Sequence, residues 1–412
     1  MAFHLEAQSV LKLRDLLASN TLSTEDTQLA LSLLYQQLHK PEKAVECVEA
    51  SVMEICVMLL RGSGDALVRE RAGRVVAGLV RVPEGSARLA QRTLEGDGVL
   101  ALAEACEQDS ELGVRRSCAA ALRSYTECGG REAPRVLARE PAALQQLAEG
   151  VLHGGCGEEA VRALAAVCAL QEGAAAALTC PSMVPALVAF LEQAVAQAEA
   201  EAAAPPRHTP APPHCEPPSL PCLAALRGLC VLDAGKAAAA AGGAPAQVCA
   251  SLAHPAPAVR GAAASCLALM AQNLSALTAC LEPPPGCEDG PSRLASLLMP
   301  LLLDPATRMA SFAAVQTVCG STRGRAAVLA WAAYEGGPEG MRLLCRCHPS
   351  ELLAGELFDM LKSPLCDGLT RAAVLAGLQA LPVAVVDSVA FARDTLAACP
   401  EEAAAALLAA LR

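Results

Sequence analysis

Apolar positions along this chain recur at helical spacing, and no run of alternating Val, Ile, Thr or Tyr suggests a strand. Over residues 65–79, Val68, Ala72, Val75, Val76 and Leu79 share one helical face, while Glu70, Arg71, Arg74 and the nearby Arg81 fall on the other. Asp65 precedes the stripe and suits a helix start. A turn residue, then an apolar or Thr position, an Arg and small residues return in the same order at 110–118, 254–263, 304–311 and 367–374. Upstream of the first two lies another apolar helix, at 52–60 and 99–106, preceded by a shorter one at 42–49 and 85–91.

The recurrence has a period. Val68-Arg69, Val114-Arg115 and Val161-Arg162 are 46 and 47 residues apart, and Val259-Arg260 follows 98 residues on, close to two more steps. Thr307-Arg308 keeps the step at 48, and Thr370-Arg371 comes 63 later, so the last interval carries an insertion. Three helices in about 42 to 47 residues is the armadillo or HEAT unit, in which each repeat leaves an apolar face for the next to cover. The expected fold is an all-α, right-handed superhelical armadillo/HEAT-type solenoid, with helix breaks near 62–65, 108–111, 255–258 and 304–305.

Two segments interrupt the array. Residues 203–221 are dense in Pro, which removes a backbone donor and clashes with the preceding turn, so no helix is expected there. They fall between helices expected at 184–202 and 222–232. The predicted organisation is N-terminal armadillo-like repeats over 1–202, a Pro-rich insertion at 203–221 whose removal leaves stability nearly unchanged, and C-terminal repeats over 222–412. Arg207-x-x-Pro210-x-x-Pro213 has the spacing of a polyproline ligand, although such spacing arises readily in any Pro-rich tract. The second break, 282–292, is shorter.

Composition narrows the function classes. With 53% hydrophobic and 18% charged residues the chain has ample apolar surface for a continuous core. No uncharged apolar run reaches the roughly 18 residues of a membrane span, and the N-terminus lacks a hydrophobic signal core, so neither membrane insertion nor secretion is expected. A net charge of −11 and 2% aromatic residues argue against nucleic acid. Many of the 20 cysteines occupy apolar helix positions, among them Cys56, Cys106, Cys118, Cys168 and Cys266, as expected for a reduced intracellular protein that uses Cys as a small hydrophobe. The later repeats replace charge with Ala, as at 236–243 and 402–410, through compositional bias or because other chains cover these faces.

Little else points to chemistry. Cys345-x-Cys347-His348 is the densest set of metal-ligand types, but no second pair follows at zinc-site spacing, and Cys366 alone does not complete it. His208, His214 and Cys215 are no more convincing. Phosphate loops, nucleophile elbows and H-E-x-x-H helices are all missing, and Glu25-Asp26 and Glu288-Asp289 sit where turns and caps place acids. No enzyme activity, cofactor or metal is expected.

What remains is binding by shape. In an armadillo stack the third helices line a concave surface, so Arg71, Arg74, Arg116 and Arg123 should form a positive strip in the N-terminal half, suited to an acidic peptide or helix. The recurring Arg69, Arg115, Arg162, Arg260, Arg308 and Arg371 are assigned instead to the stack, bridging repeats or capping carbonyls beside turn carboxylates such as Asp65, Asp304 and Asp367. Importin-like recognition of basic peptides is weaker, because Trp331 is the only Trp and has no Asn beside it.

The N-terminal stretch also resembles a family. Leu16-Leu17-Ala-Ser19, Thr24, Ala30-Leu31-Ser-Leu-Leu34, His39-Lys-Pro41-Glu42, Glu54 and Leu59-Leu60-Arg-Gly-Ser63-Gly-Asp65-Ala-Leu67-Val68-Arg69 are similar to the opening repeats of the armadillo-type radial spoke proteins of the ciliary axoneme, the group that includes the vertebrate rhabdoid tumour deletion region product. The likeness covers roughly the first 90 residues, and the insertion at 203–221 is not part of the family pattern. It implies a non-enzymatic radial spoke component of motile cilia or flagella, cytoplasmic and axonemal, that holds other spoke subunits in place and supports control of beating. The alternative is a soluble armadillo adaptor for peptide or cargo recognition outside the axoneme.

Overall fold

Helix starts in the chain are written by capping residues. Ser23, Asp65, Asn273, Ser321, Ser350 and Asp367 each accept a backbone N–H from the first turn of the helix that follows. Pro41, Pro83, Pro141 and Pro257 stand inside the first turn of others, where a missing N–H costs nothing. The computed structural model describes residues 9–19, 21–95, 97–153, 155–203, 216–282, 293–363 and 366–388, and among them there is no strand.

The chain opens with α1 (Val10–Ala18) and α2 (Thr24–Gln37), followed by three-helix repeats. The first is α3 (Pro41–Glu49), α4 (Val52–Gly62) and α5 (Ala66–Leu79), and the second α6 (Pro83–Leu94), α7 (Gly98–Gln108) and α8 (Leu112–Cys128). The third is α9 (Glu132–Ala138), α10 (Pro141–Leu152) and α11 (Gly157–Cys168), and the fourth α12 (Gln171–Ala177), α13 (Met183–Ala203) and α14 (Ser219–Leu229). Like packs on like, so that α5, α8, α11 and α14 lie side by side, as do α4, α7, α10 and α13. Val68, Ala72, Val75, Val76 and Leu79 are all buried, as their spacing predicts, together with Leu102, Leu122, Tyr125, Leu144 and Leu164 from the following repeats.

Next come α15 (Asp233–Ala241), α16 (Ala244–Ser251), α17 (Pro257–Met270), α18 (Leu274–Leu281), α19 (Arg293–Leu298) with a 3-10 turn at Pro300–Leu302, and α20 (Arg308–Cys319). The described chain ends in α21 (Thr322–Tyr334), α22 (Gly337–Cys347), α23 (Glu351–Lys362), α24 (Gly368–Ala380) and α25 (Val383–Ser388). Two compact units result, one ending at Ala244 and the other beginning at Pro245. Each is an all-α, armadillo-type stack. The long final interval also has its explanation, because three helices rather than two separate α20 from α24, and the extra one, α22, packs against α24.

Breaks at 63–65, 109–111 and 303–307 fall where expected, whereas the one before α17 falls at 252–256, a little earlier than the expected 255–258. The helix expected from Cys222 begins at Ser219, so the last residues of the Pro-rich stretch are helical. Pro221 stands in the first turn, where its ring fits, and Ser219 and Pro221 are buried. Arg207, His208, Pro210, Pro213, His214, Cys215, Glu288-Asp289 and the Ala run at 402–410 lie outside the described residues.

Candidate binding groove

The recurring arginines show how the stack is held. Arg69 at the start of α5 donates from Nε and Nη2 to both carboxylate oxygens of Asp109 at 2.6 and 3.0 Å, and from Nη1 to the Ser63 carbonyl at 2.9 Å. Arg260 repeats the device in the second unit, reaching Asp304 at 2.8 Å and the His254 and Pro255 carbonyls at 3.1 and 2.8 Å. The acid each one bridges therefore belongs to the next repeat's turn. Beside Arg69 its own turn Asp65 serves as a cap, and in both cases a planar guanidinium meets both the carboxylate and open carbonyls at the end of the previous helix.

Among the described residues Arg308 keeps only the carbonyl, Leu302 O at 3.1 Å, and Arg115 and Arg371 show neither bridge, the Nε of each being buried without a partner there. Arg325, outside the Val-Arg register and not anticipated from it, joins the Cys319 carbonyl at 3.0 Å to Glu356 at 3.1 Å. Arg162 makes the same kind of bridge, pairing with Glu216 in the turn before α14 at 2.6 Å and with Glu158 of its own helix at 3.2 Å, and it also lines a groove.

That groove, about 1100 Å³, lies within the first unit along α5, α8 and α11. Arg74 and Arg116 line it, while Arg71 and Arg123 do not. Charge in the groove is mixed rather than positive. Arg74 pairs with Glu70 one turn away, and Arg123, behind the wall, is held by Glu159 at 2.6 Å and Glu127 at 3.4 Å. Glu158, Glu159 and Glu216 all face the same space. The acids sit one repeat further on, at helix starts where the dipole favours them, so charges that cluster in sequence are neutralised in space.

Arg116 is the exception. It is exposed, its Nε donates to the Gly155 carbonyl at 2.7 Å, and it makes no ion pair among the described residues. Gly155 takes φ +97°, a backbone conformation that side chains resist, and so turns its carbonyl toward the arginine.

The far wall comes from α13, a second helix that reading the third helices alone leaves out. At 21 residues it is long for its place, and Phe190, Gln193, Ala194 and Gln197 face the groove. A Cβ on Gly157 would stand 2.7 Å from the Phe190 ring, so the glycine at the start of α11 makes room for the aromatic. The signals available in sequence were the uninterrupted length of α13 and the presence in it of one of only five Phe residues.

No histidine lines the groove, and among the described residues no three His, Cys, Asp or Glu side chains are grouped to hold a metal. Cys345 and Cys347 are buried, with burial pushing the Cys345 thiol up to about 12, which disfavours the thiolate a metal needs. Nor is any helix of the described residues long and apolar enough to cross a membrane.

No family model and no curated protein sequence matches the chain. Solved structures do. An engineered protein is similar over 98% of this chain and 99% of its own, with 18% identity and a TM-score of 0.58. A structure from work on a phosphorylation switch that controls the interaction between cadherin and β-catenin covers 98% of this chain and 77% of its own, with 16% identity and a TM-score of 0.61. A designed armadillo repeat protein is similar over 66% of this chain, with 18% identity and a TM-score of 0.48. At these identities the likeness is one of fold.

Proposed function

We propose that this protein is a non-enzymatic armadillo-repeat scaffold that holds protein partners, and that it does so as a component of the radial spoke of motile cilia. The observation that carries the binding role is Arg116, an exposed cation left without a carboxylate in a groove where the neighbouring arginines have one, facing the Phe190 wall. An acidic side chain beside an apolar one on a partner segment meets both, and the mixed charges around them set register. The fold is shared with a structure from work on the interaction between cadherin and β-catenin, which supports using such a stack to hold a protein.

Placement in the axoneme rests on the resemblance of the N-terminal repeats to armadillo-type spoke proteins. Fractionation tests it. Full-length protein expressed in ciliated cells is expected to remain with salt-washed axonemes. Recovery in the detergent-soluble fraction would contradict the spoke assignment and favour an adaptor outside the axoneme.

A further inference from the structure

Two cysteines from neighbouring repeats meet beside the groove. Cys106 lies in α7 and Cys156 directly precedes α11, and their Sγ atoms are 3.4 Å apart. The Cys156 sulfur also faces the carbonyls of Gly150 and Cys106, at 3.5 and 3.8 Å. Both are buried, Cys106 fully and Cys156 at 2% exposure, but only Cys156 lines the groove, with Arg116 bound to the carbonyl of the residue before it. We propose that Cys106 and Cys156 are a peroxide-responsive dithiol, oxidised to a disulfide that staples two repeats beside the groove.

The chemistry follows from the placement. The Cys156 thiolate attacks one oxygen of hydrogen peroxide, the O–O bond breaks, and the departing hydroxide takes up the proton that the thiol released, leaving a sulfenic acid and one water. The Cys106 sulfur then attacks the Cys156 sulfur, displacing hydroxide, which takes the Cys106 proton as the second water. Two thiols give up two electrons and the peroxide accepts them.

The surroundings favour Cys156 as the attacking group. A hydrogen bond from Cys106, with the charges of Arg115 and Arg116, holds its thiol below the usual range against the opposing effect of burial. Elsewhere burial alone dominates, pushing Cys118 and Cys168 up to about 12. The second unit holds a comparable pair, since Cys280 bonds to Cys249 and is raised by that bond and by burial, as Cys106 is by Cys156.

Peroxide treatment of the full-length protein, then alkylation under denaturing conditions and peptide mass mapping, tests the assignment. The expected product joins the Cys106 and Cys156 peptides with the loss of two hydrogens and is undone by dithiothreitol. In Cys106→Ser the disulfide is absent and Cys156 is trapped by dimedone as the sulfenic acid, while in Cys156→Ser neither product forms. The wild-type result needs no variant to fold. Alkylation of both cysteines in the treated wild type, with oxidation at exposed Cys128 or between Cys249 and Cys280 instead, would overturn the proposal.

Discussion

At the scale of single residues, position in the repeat decides what an arginine does, and helical spacing alone does not reveal its partner. Arg69 was legible as structural because it recurs beside a turn. Its partner was not, since Asp109 lies 40 residues away and becomes a neighbour only once the repeats stack. Arg162 has the same sequence context and likewise reaches an acid in the turn before the next third helix, Glu216, here 54 residues on because the Pro-rich stretch intervenes. Arg69→Met leaves the largely buried Asp109 carboxylate without its guanidinium, so a loss of about 3 kcal/mol is expected in denaturant titration.

The same pair sets a pH dependence. Burial acts to raise Asp109, but the Arg69 hydrogen bonds and a backbone N–H outweigh it and hold the carboxyl below its ordinary value. A carboxylate depressed in the folded state contributes stability above its unfolded pKa, about 3.9, and gives it up as pH falls from there through the folded value. Melting temperature measured from pH 6 down to about pH 2 should therefore fall less steeply at the acid end in Arg69→Met than in wild type. Parallel curves would show that the pair contributes nothing to the linkage.

At the scale of elements, caps and the apolar stripe predicted most helices, and boundaries drifted where Pro was read as a breaker wherever it occurred. Pro221 sits in the first turn of α14 and belongs to the helix. A deletion of 203–221 was expected to be neutral, yet residues 219–221 complete that turn and Glu216 pairs with Arg162. Deleting 216–221 should lower the melting temperature measurably, because it removes buried Ser219 and Pro221 and shortens a helix stacked on α11. An unchanged melting temperature would mean that α14 begins at Cys222 in solution. The wall supplied by α13 was missed for a related reason: a period assigns roles to helices by order, whereas a helix longer than its repeat requires reaches a surface that its order does not imply.

At the scale of the whole molecule, the period made the solenoid class legible, and the groove's electrostatics were not. Counting arginines on third helices predicts a positive strip, but Glu70 of the same helix pairs with Arg74 and Glu159 of the next repeat pairs with Arg123, leaving Arg116 as a groove cation without an ion pair among the described residues. Circular dichroism of the full chain is expected to be dominated by helix, since no strand occurs among the described residues. The binding claim then rests on one side chain. Arg116→Glu gives up the hydrogen bond to the Gly155 carbonyl, so it should keep the wild-type helical spectrum and lose about 1 kcal/mol of stability.

Capture of partners from solubilised axonemes by full-length bait, wild type against Arg116→Glu, tests the account most directly. The account predicts that the variant recovers less of the same partners by about tenfold, and that the difference narrows as ionic strength is raised from about 0.15 M toward 1 M, where screening shortens from about 8 to 3 Å. Equal recovery by the two proteins at low salt, with the variant folded, would contradict it and move partner binding away from the groove.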